Sequence, residues 1–230
     1  MVIHALALAF SQLGDRRLLA VLGKSLALSL LLCLVLGVGL AEAGRWAILR
    51  YVPDLATDWM HAILLVGGVG IAMFAFRTVA VPVTGLFGDD VVAAVEQAHY
   101  PAVAALAVRA PFALSLRLGL ASAVRVLLLN LAALPAYVVL LFTAIGPLLL
   151  FLALNAVLLG RDLAEMVAVR HLDASQRQQW LRNSRLDHVL LGLTVTGLFL
   201  IPFVNLIAPI VGAAAATHMF HGRRTTEFLR

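Results

Sequence analysis

The sequence predicts an all-α integral membrane protein with two long transmembrane helices, two membrane-embedded (re-entrant) helical hairpins and a helical cytoplasmic part. Composition, the lengths of the apolar runs, and the prolines and glycines that interrupt them predict it. Hydrophobic residues make up 63% of the 230, with 17 glycines besides, and charged residues only 13%. A soluble domain carries about 25% charged residues and about 45–50% apolar plus glycine. Mean hydropathy is +1.01. A water-soluble globule of this size cannot hide so much apolar surface, and a disordered chain is far more polar. The single cysteine, Cys33, sits inside an apolar run and forms no internal disulfide framework; it reads as a buried thiol.

Taken in order, Met1–Phe10 lacks a basic start and runs into Asp15-Arg16-Arg17, so no cleavable signal peptide is predicted. The first long apolar run, Ser25 to Ala41, follows Lys24 and ends at Glu42 and Arg45. Its core gives about 26 Å of helix, short for a bilayer unless the flanking turns extend it. A polar segment, Glu42 to Asp58, has Trp46, Tyr51 and Trp59 near it, as in an interfacial aromatic belt. The second run, Ala62 to Phe76, continues past Arg77 to Phe87 and contains Gly67, Gly68 and Gly70, which permit close helix contact in lipid. Transmembrane helices are therefore expected over about 18–41 and 60–87.

Residues 88–125 are more polar, with Asp89, Asp90, Glu96, Arg109, Arg117 and Arg125 among alanines and valines. They are read as the helical cytoplasmic part. The remaining apolar stretches, about 126–160 and 189–220, are interrupted by Pro135 and Gly146-Pro147, and by Pro202, Asn205 and Pro209. With the breaks as turns, most of the arms are too short for a hydrocarbon core about 30 Å thick. Prolines free backbone groups that membrane depth tolerates only against protein or water. These stretches are read as hairpins that enter and leave by one face, the alternative being ordinary kinked spans with tight loops, and all 230 residues as one membrane domain.

The net charge is +5 and the pI about 10.3, yet no basic run exceeds two residues, so nucleic acid is not an expected partner. Of the 17 lysines and arginines, 14 fall in residues 1–24, 88–125, 161–188 and 221–230. The positive-inside rule then places both termini and the large polar segments in the cytoplasm.

No enzyme chemistry is legible. Gly23-Lys24-Ser25 ends like a phosphate loop, but Leu18 stands where that motif needs glycine. Asp89-Asp90 reads as a solvated helix start. His218 and His221 could share a helical face, but with no carboxylate or cysteine nearby in sequence they read as a headgroup-facing pair. No cofactor is implied, and no metal.

Two polar features are more informative. Gly14-Asp15-Arg16-Arg17 leads into the first run. Paired guanidiniums and the free N–H groups of a helix start suit an oxyanion, while the same arginines could simply anchor a helix at lipid headgroups. Asp15 opposes anion binding, because its carboxylate can cap the helix. The other feature is Asn155 with Arg161, Asp162, Glu165 and Arg170, where Arg161 and Glu165 are i,i+4 neighbours that could line a charged vestibule or form a solvated face. Asn205, at the expected turn, either satisfies backbone groups or lines a pore.

The whole pattern resembles the CysZ-type sulfate permeases and the wider etoposide-induced membrane-protein family. The stretch Ile201-Pro-Phe-Val-Asn-Leu-Ile-Ala-Pro-Ile-Val-Gly212 is similar to the family's Pro-x-x-Asn-Leu-x-x-x-Pro hairpin, with the second proline one residue early. Leu154-Asn155 to Arg161, Val91–Glu96, and Gly14 to Leu18, which looks like the family's Gly-Leu-Arg-Arg, support it. Departures are the alanine run Ala213–Ala216 before Thr217, Pro82-Val83 in place of Pro-Phe, and Asp15 in place of an apolar or small residue. The resemblance implies the same two long helices, hairpins and cytoplasmic part. It also implies a passive, homo-oligomeric pathway for sulfate or a related oxyanion in a bacterial inner membrane. Arg16 and Arg17 would bind the anion beside Gly14, and Asn155, Arg161, Glu165 and Asn205 are candidates for the pore or vestibule. The alternative within the family is a structural or regulatory membrane protein.

Overall fold

A computed structural model describes residues 1–52, 58–74, 76, 79, 80, 83, 86–108 and 110–228. Every regular element among them is helical. These are α1 (Val2–Ser11), α2 (Arg16–Tyr51), α3 (Asp58–Phe74), α4 (Gly88–His99), α5 (Pro101–Ala104), α6 (Phe112–Leu140), α7 (Gly146–Ala168), α8 (Ala174–Asn183), α9 (Arg185–Leu200) and α10 (Val204–Phe228). Four of them contain stretches long and apolar enough to cross a membrane: Arg16–Tyr51, Ala113–Leu140, Gly146–Ala168 and Val204–Arg223. The chain divides into two compact units, one of residues 1–18 with 88–230 and one of 19–87.

In the smaller unit, α2 and α3 meet backbone to backbone. A methyl group added to Gly37 would lie 2.8 Å from the Val69 Cα, and one on Gly68 would lie 3.2 Å from the Ala41 nitrogen. Only glycine permits that approach. The glycines of the second run therefore do not form one shared face: Gly68 is used inside the subunit, while Gly67 and Gly70 have open space beside them. Trp46, Tyr51 and Trp59 are exposed, as an interfacial belt requires, and Cys33 is fully buried. The segment after Glu42 is not separate from the first span, because α2 continues without interruption to Tyr51. The end of the expected second span, with Arg77 and Pro82, falls partly outside the described residues, as does Asp54.

In the larger unit the expected break near residue 125 is absent. Helix α6 runs from Phe112 through Arg117, Arg125 and Pro135 to Leu140, 29 residues in all. Its more polar first half is tied to α7, where Arg125 and Ser122 both donate to Asp162, at 3.2 and 2.5 Å. Gly146-Pro147 does not form the turn of the first hairpin; it opens α7, where a proline's missing N–H costs nothing and its fixed φ favours a helix start. The turn is residues 141–145. Helix α7 is 23 residues long, about 35 Å, rather than the arm of about 12 residues expected, because the helix carries on through Arg161 and Glu165. Around α6 the leucines and valines face outward, among them Leu120, Leu127, Leu131 and Val139. In water such a surface would be costly; in lipid it is the required coat.

The second hairpin turns at residues 201–203, where Phe203 takes a left-handed φ of 66°. Helix α9 has 16 residues, about 24 Å, and α10 has 25, continuing through Pro209. The alanine run offers no outer face: Ala213 to Ala216 are fully buried within the subunit. Helices α7 and α9 cross at Gly160 and Gly192, where each glycine occupies the space that the other's side chain would need.

Candidate functional site

The predicted anion residues lie at the joint between α1 and α2. Arg16 opens α2, and Gly14, Arg16 and Arg17 are exposed, with open space beside Gly14. Asp15 caps the helix: its Oδ1 accepts the Arg17 backbone N–H at 2.9 Å. One donor of the helix start is thus already occupied by a carboxylate, and two guanidiniums project beside it.

The vestibule candidates separate into two places. On α7, Arg161 and Glu165 face each other at 4.0 Å, but Glu165 is nearer to Arg177 of α8, at 3.4 Å. Asn155 donates back to the Phe151 carbonyl of its own helix. Asn205, 4% exposed, stands in the first turn of α10 with its side-chain Oδ1 buried and unpartnered. Pro209, four residues on, has no N–H to give the Asn205 carbonyl. Asn205 therefore presents an unpaired acceptor at this turn, on an amide that also carries two N–H donors.

The most concentrated polar site is one that sequence reading missed. Glu96 is fully buried on the inner face of α4, flanked by the buried Val91, Val92 and Val95. Its Oε2 accepts from Arg170 Nε at 3.2 Å and Nη2 at 3.1 Å. Its Oε1 lies 2.6 Å from His171 Nε2 and 3.3 Å from His221 Nε2. Burial alone would raise the carboxyl pKa; the hydrogen bonds from His171 and His221 and the Arg170 charge outweigh it and hold Glu96 at about 2. The carboxylate is ionised and can only accept, so both imidazoles carry their proton on Nε2.

Local structure delivers these groups. Arg170 and His171 occupy the tight turn that ends α7, where their N–H groups bond Val167 and Ala168, and the Arg170 carbonyl accepts from Val108. His221 comes from the far end of α10. Its ring stacks on Tyr100, centroids 4.4 Å apart, and the His171 ring stacks on Phe220 at 5.4 Å. The Tyr100 hydroxyl bonds His218 Nδ1 at 2.9 Å, and His218 Nε2 donates to Gln12 Oε1 at 3.0 Å, which ties in the end of α1. Burial pushes the Tyr100 phenol up. His218 and His221 are therefore not turned to headgroups; both are buried. The carboxylate that the pair lacked in sequence arrives from α4. A cleft of about 410 Å³, lined by Val103, Leu106, Val108, Val169 and Leu172, also has Arg170 and His171 in its wall.

The signal that could have found this site was Glu96 itself. One turn after Val92 and next to Val95, it shares the apolar face of an amphipathic helix, where a charge must be paired.

An all-α chain with four helices long and apolar enough to span a bilayer is a multi-pass membrane protein. It belongs to the Sulfate transporter CysZ/Etoposide-induced protein 2.4 family, whose model matches residues 5–209. Membership makes it a membrane protein, consistent with a transport-related role rather than an enzyme's. No curated protein and no solved structure matches the chain. The match takes in Glu96, Arg170 and His171 and ends before His218 and His221.

Proposed function

We propose that the protein is a passive permease for sulfate or a related oxyanion, acting as a homo-oligomer in the bacterial inner membrane with both termini in the cytoplasm. The observation that carries this reading is the family match over residues 5–209, together with two exposed guanidiniums at the start of α2 inside the matched stretch. Arg16 and Arg17 bind the anion beside Gly14 by paired charge-assisted hydrogen bonds. Asn155, Arg161, Glu165 and Asn205 then line its path. The second hairpin is re-entrant, which the short α9 supports: about 24 Å of helix does not cross about 30 Å of hydrocarbon. The first hairpin has arms long enough to cross, so its ends share a face whether or not it is re-entrant. Residues 1–230 work as one membrane domain.

The opposing reading, a structural protein whose arginines anchor α2 at headgroups, is favoured by Asp15, already bonded to the Arg17 N–H. Sulfate flux into liposomes separates the two. Permeation predicts uptake above empty vesicles, reduced in Arg16→Lys and Arg17→Lys because lysine cannot form the paired contact. No uptake by intact, oligomeric protein would sink the permease reading.

A further inference from the structure

We propose that Glu96, His171 and His221 form a binding site for a divalent transition metal of the zinc class. Three protein donors of the kinds that such ions prefer, two imidazole nitrogens and one carboxylate oxygen, converge within 4.8 Å of one another. Around a tetrahedral ion about 2.0–2.2 Å from each ligand, donors stand about 3.3–3.6 Å apart. The 3.3 Å Oε1–Nε2 separation already fits, and the 2.6 Å one opens by about 0.7 Å. The ion would take the place of the two Nε2 protons that now point at one carboxylate oxygen.

The surroundings match what a ligand set of this kind requires. Arg170 grips the other carboxylate oxygen and leaves Oε1 to the imidazoles. Tyr100 and Phe220 stack on the two rings and fix their orientation. Glu96, His171 and His221 are 0–3% exposed, so the geometry is held by packing rather than by mobile surface chains. The cleft lined in part by Arg170 and His171 lies beside the ligand set. The three ligands come from α4, the turn after α7, and α10. Metal binding would thus pin together three elements that are far apart in sequence, a structural or regulatory role that is independent of whether the chain conducts sulfate.

The test uses purified full-length protein in lipid nanodiscs, stripped with chelator and titrated with zinc chloride. Wild type should take up one tight equivalent, weakened at least about a hundredfold in Glu96→Gln, His171→Gln and His221→Gln, while His4→Gln and His61→Gln bind as wild type does. X-ray absorption at the zinc edge of the wild-type complex needs no variant: it should report two imidazole nitrogens and a carboxylate oxygen at about 2.0–2.2 Å. An all-oxygen shell, no tight equivalent in wild type, or equal affinity in wild type and folded Glu96→Gln would overturn the proposal and leave the cluster a hydrogen-bonded ion pair.

Discussion

Replacing Gly160 or Gly192 with alanine tests the α7–α9 crossing directly. A methyl group on Gly192 would lie 2.6 Å from the Gly160 nitrogen and 2.8 Å from its Cα, and one on Gly160 would lie 2.6 Å from the His188 carbonyl carbon. Ordinary contact begins at 3.4 Å, so the two backbones must part by about 0.8 Å or more (3.4 minus 2.6), and backbone cannot swing aside as a side chain can. A gap of that order forfeits roughly a quarter to a half of the dispersion attraction at every atom pair along the seam. Overpacking of this kind costs about 3 kcal/mol, and alanine returns about 1 kcal/mol through its better helix propensity. The net loss is about 2 kcal/mol, or about thirtyfold in the folding equilibrium. Gly197, on the same helix α9, has nothing within 4 Å of the equivalent position, so Gly197→Ala should be neutral or slightly stabilising. The assay is reversible unfolding in mixed micelles with increasing SDS, followed by circular dichroism. The double variant should cost less than the sum of the singles, because one separation relieves both clashes. If Gly160→Ala and Gly192→Ala unfold with Gly197→Ala, the close backbone crossing is refuted.

Other outcomes are expected. In chelator-treated protein, Glu96→Ala leaves Arg170, whose side chain is 12% exposed, without its buried partner and should lower stability by about 3–5 kcal/mol in the same assay; an unchanged midpoint would mean that the pair is solvated. Arg16→Lys and Arg17→Lys should each weaken sulfate binding about ten- to a hundredfold by isothermal titration without changing expression, and equal affinities would remove them from the anion site. Single cysteines at the exposed Gln178 and Arg182, in a Cys33→Ala background, should label only from the cytoplasmic side and one at Asp54 only from outside; external labelling at Gln178 would overturn the orientation. Asp173 caps α8 through the Gln176 N–H, and that bond, with the Ser175 hydroxyl, lowers its pKa. The cap's stabilisation should therefore be fully present above the ordinary aspartate range and vanish only as pH falls through the lower folded value, which the Gln176 amide signal reads. A midpoint at or above the ordinary value would contradict the capping box.

How much of this was legible depended on the range of the interaction. The leucine runs of α2 announce themselves, because hydropathy is summed over neighbours in sequence. Pro202 marked a real turn, while Pro209 and Pro135 lie inside helices: a proline removes one N–H, and neighbouring helices or solvent can absorb that loss. Gly146-Pro147 signals a helix start as readily as a turn, and the chain turns a few residues earlier, at 141–145. The second arm of the first hairpin looks short when only apolar residues are counted, whereas α7 continues through Arg161, which faces Glu165 on its own helix, and Asp162, which meets Arg125 of α6. The Glu96 cluster was illegible for a different reason. Its members are separated by 75 and 125 positions, and no local spacing rule reaches that far.

The unpaired oxygen of Asn205 bears on hydration. Its Oδ1 is buried and unpartnered, and the carbonyl of the same residue is one that Pro209 cannot serve. An acceptor left without a donor from the chain is what an ordered water satisfies. A water held at the start of α10 would hydrate the turn of the second hairpin from inside, within a stretch that is otherwise apolar.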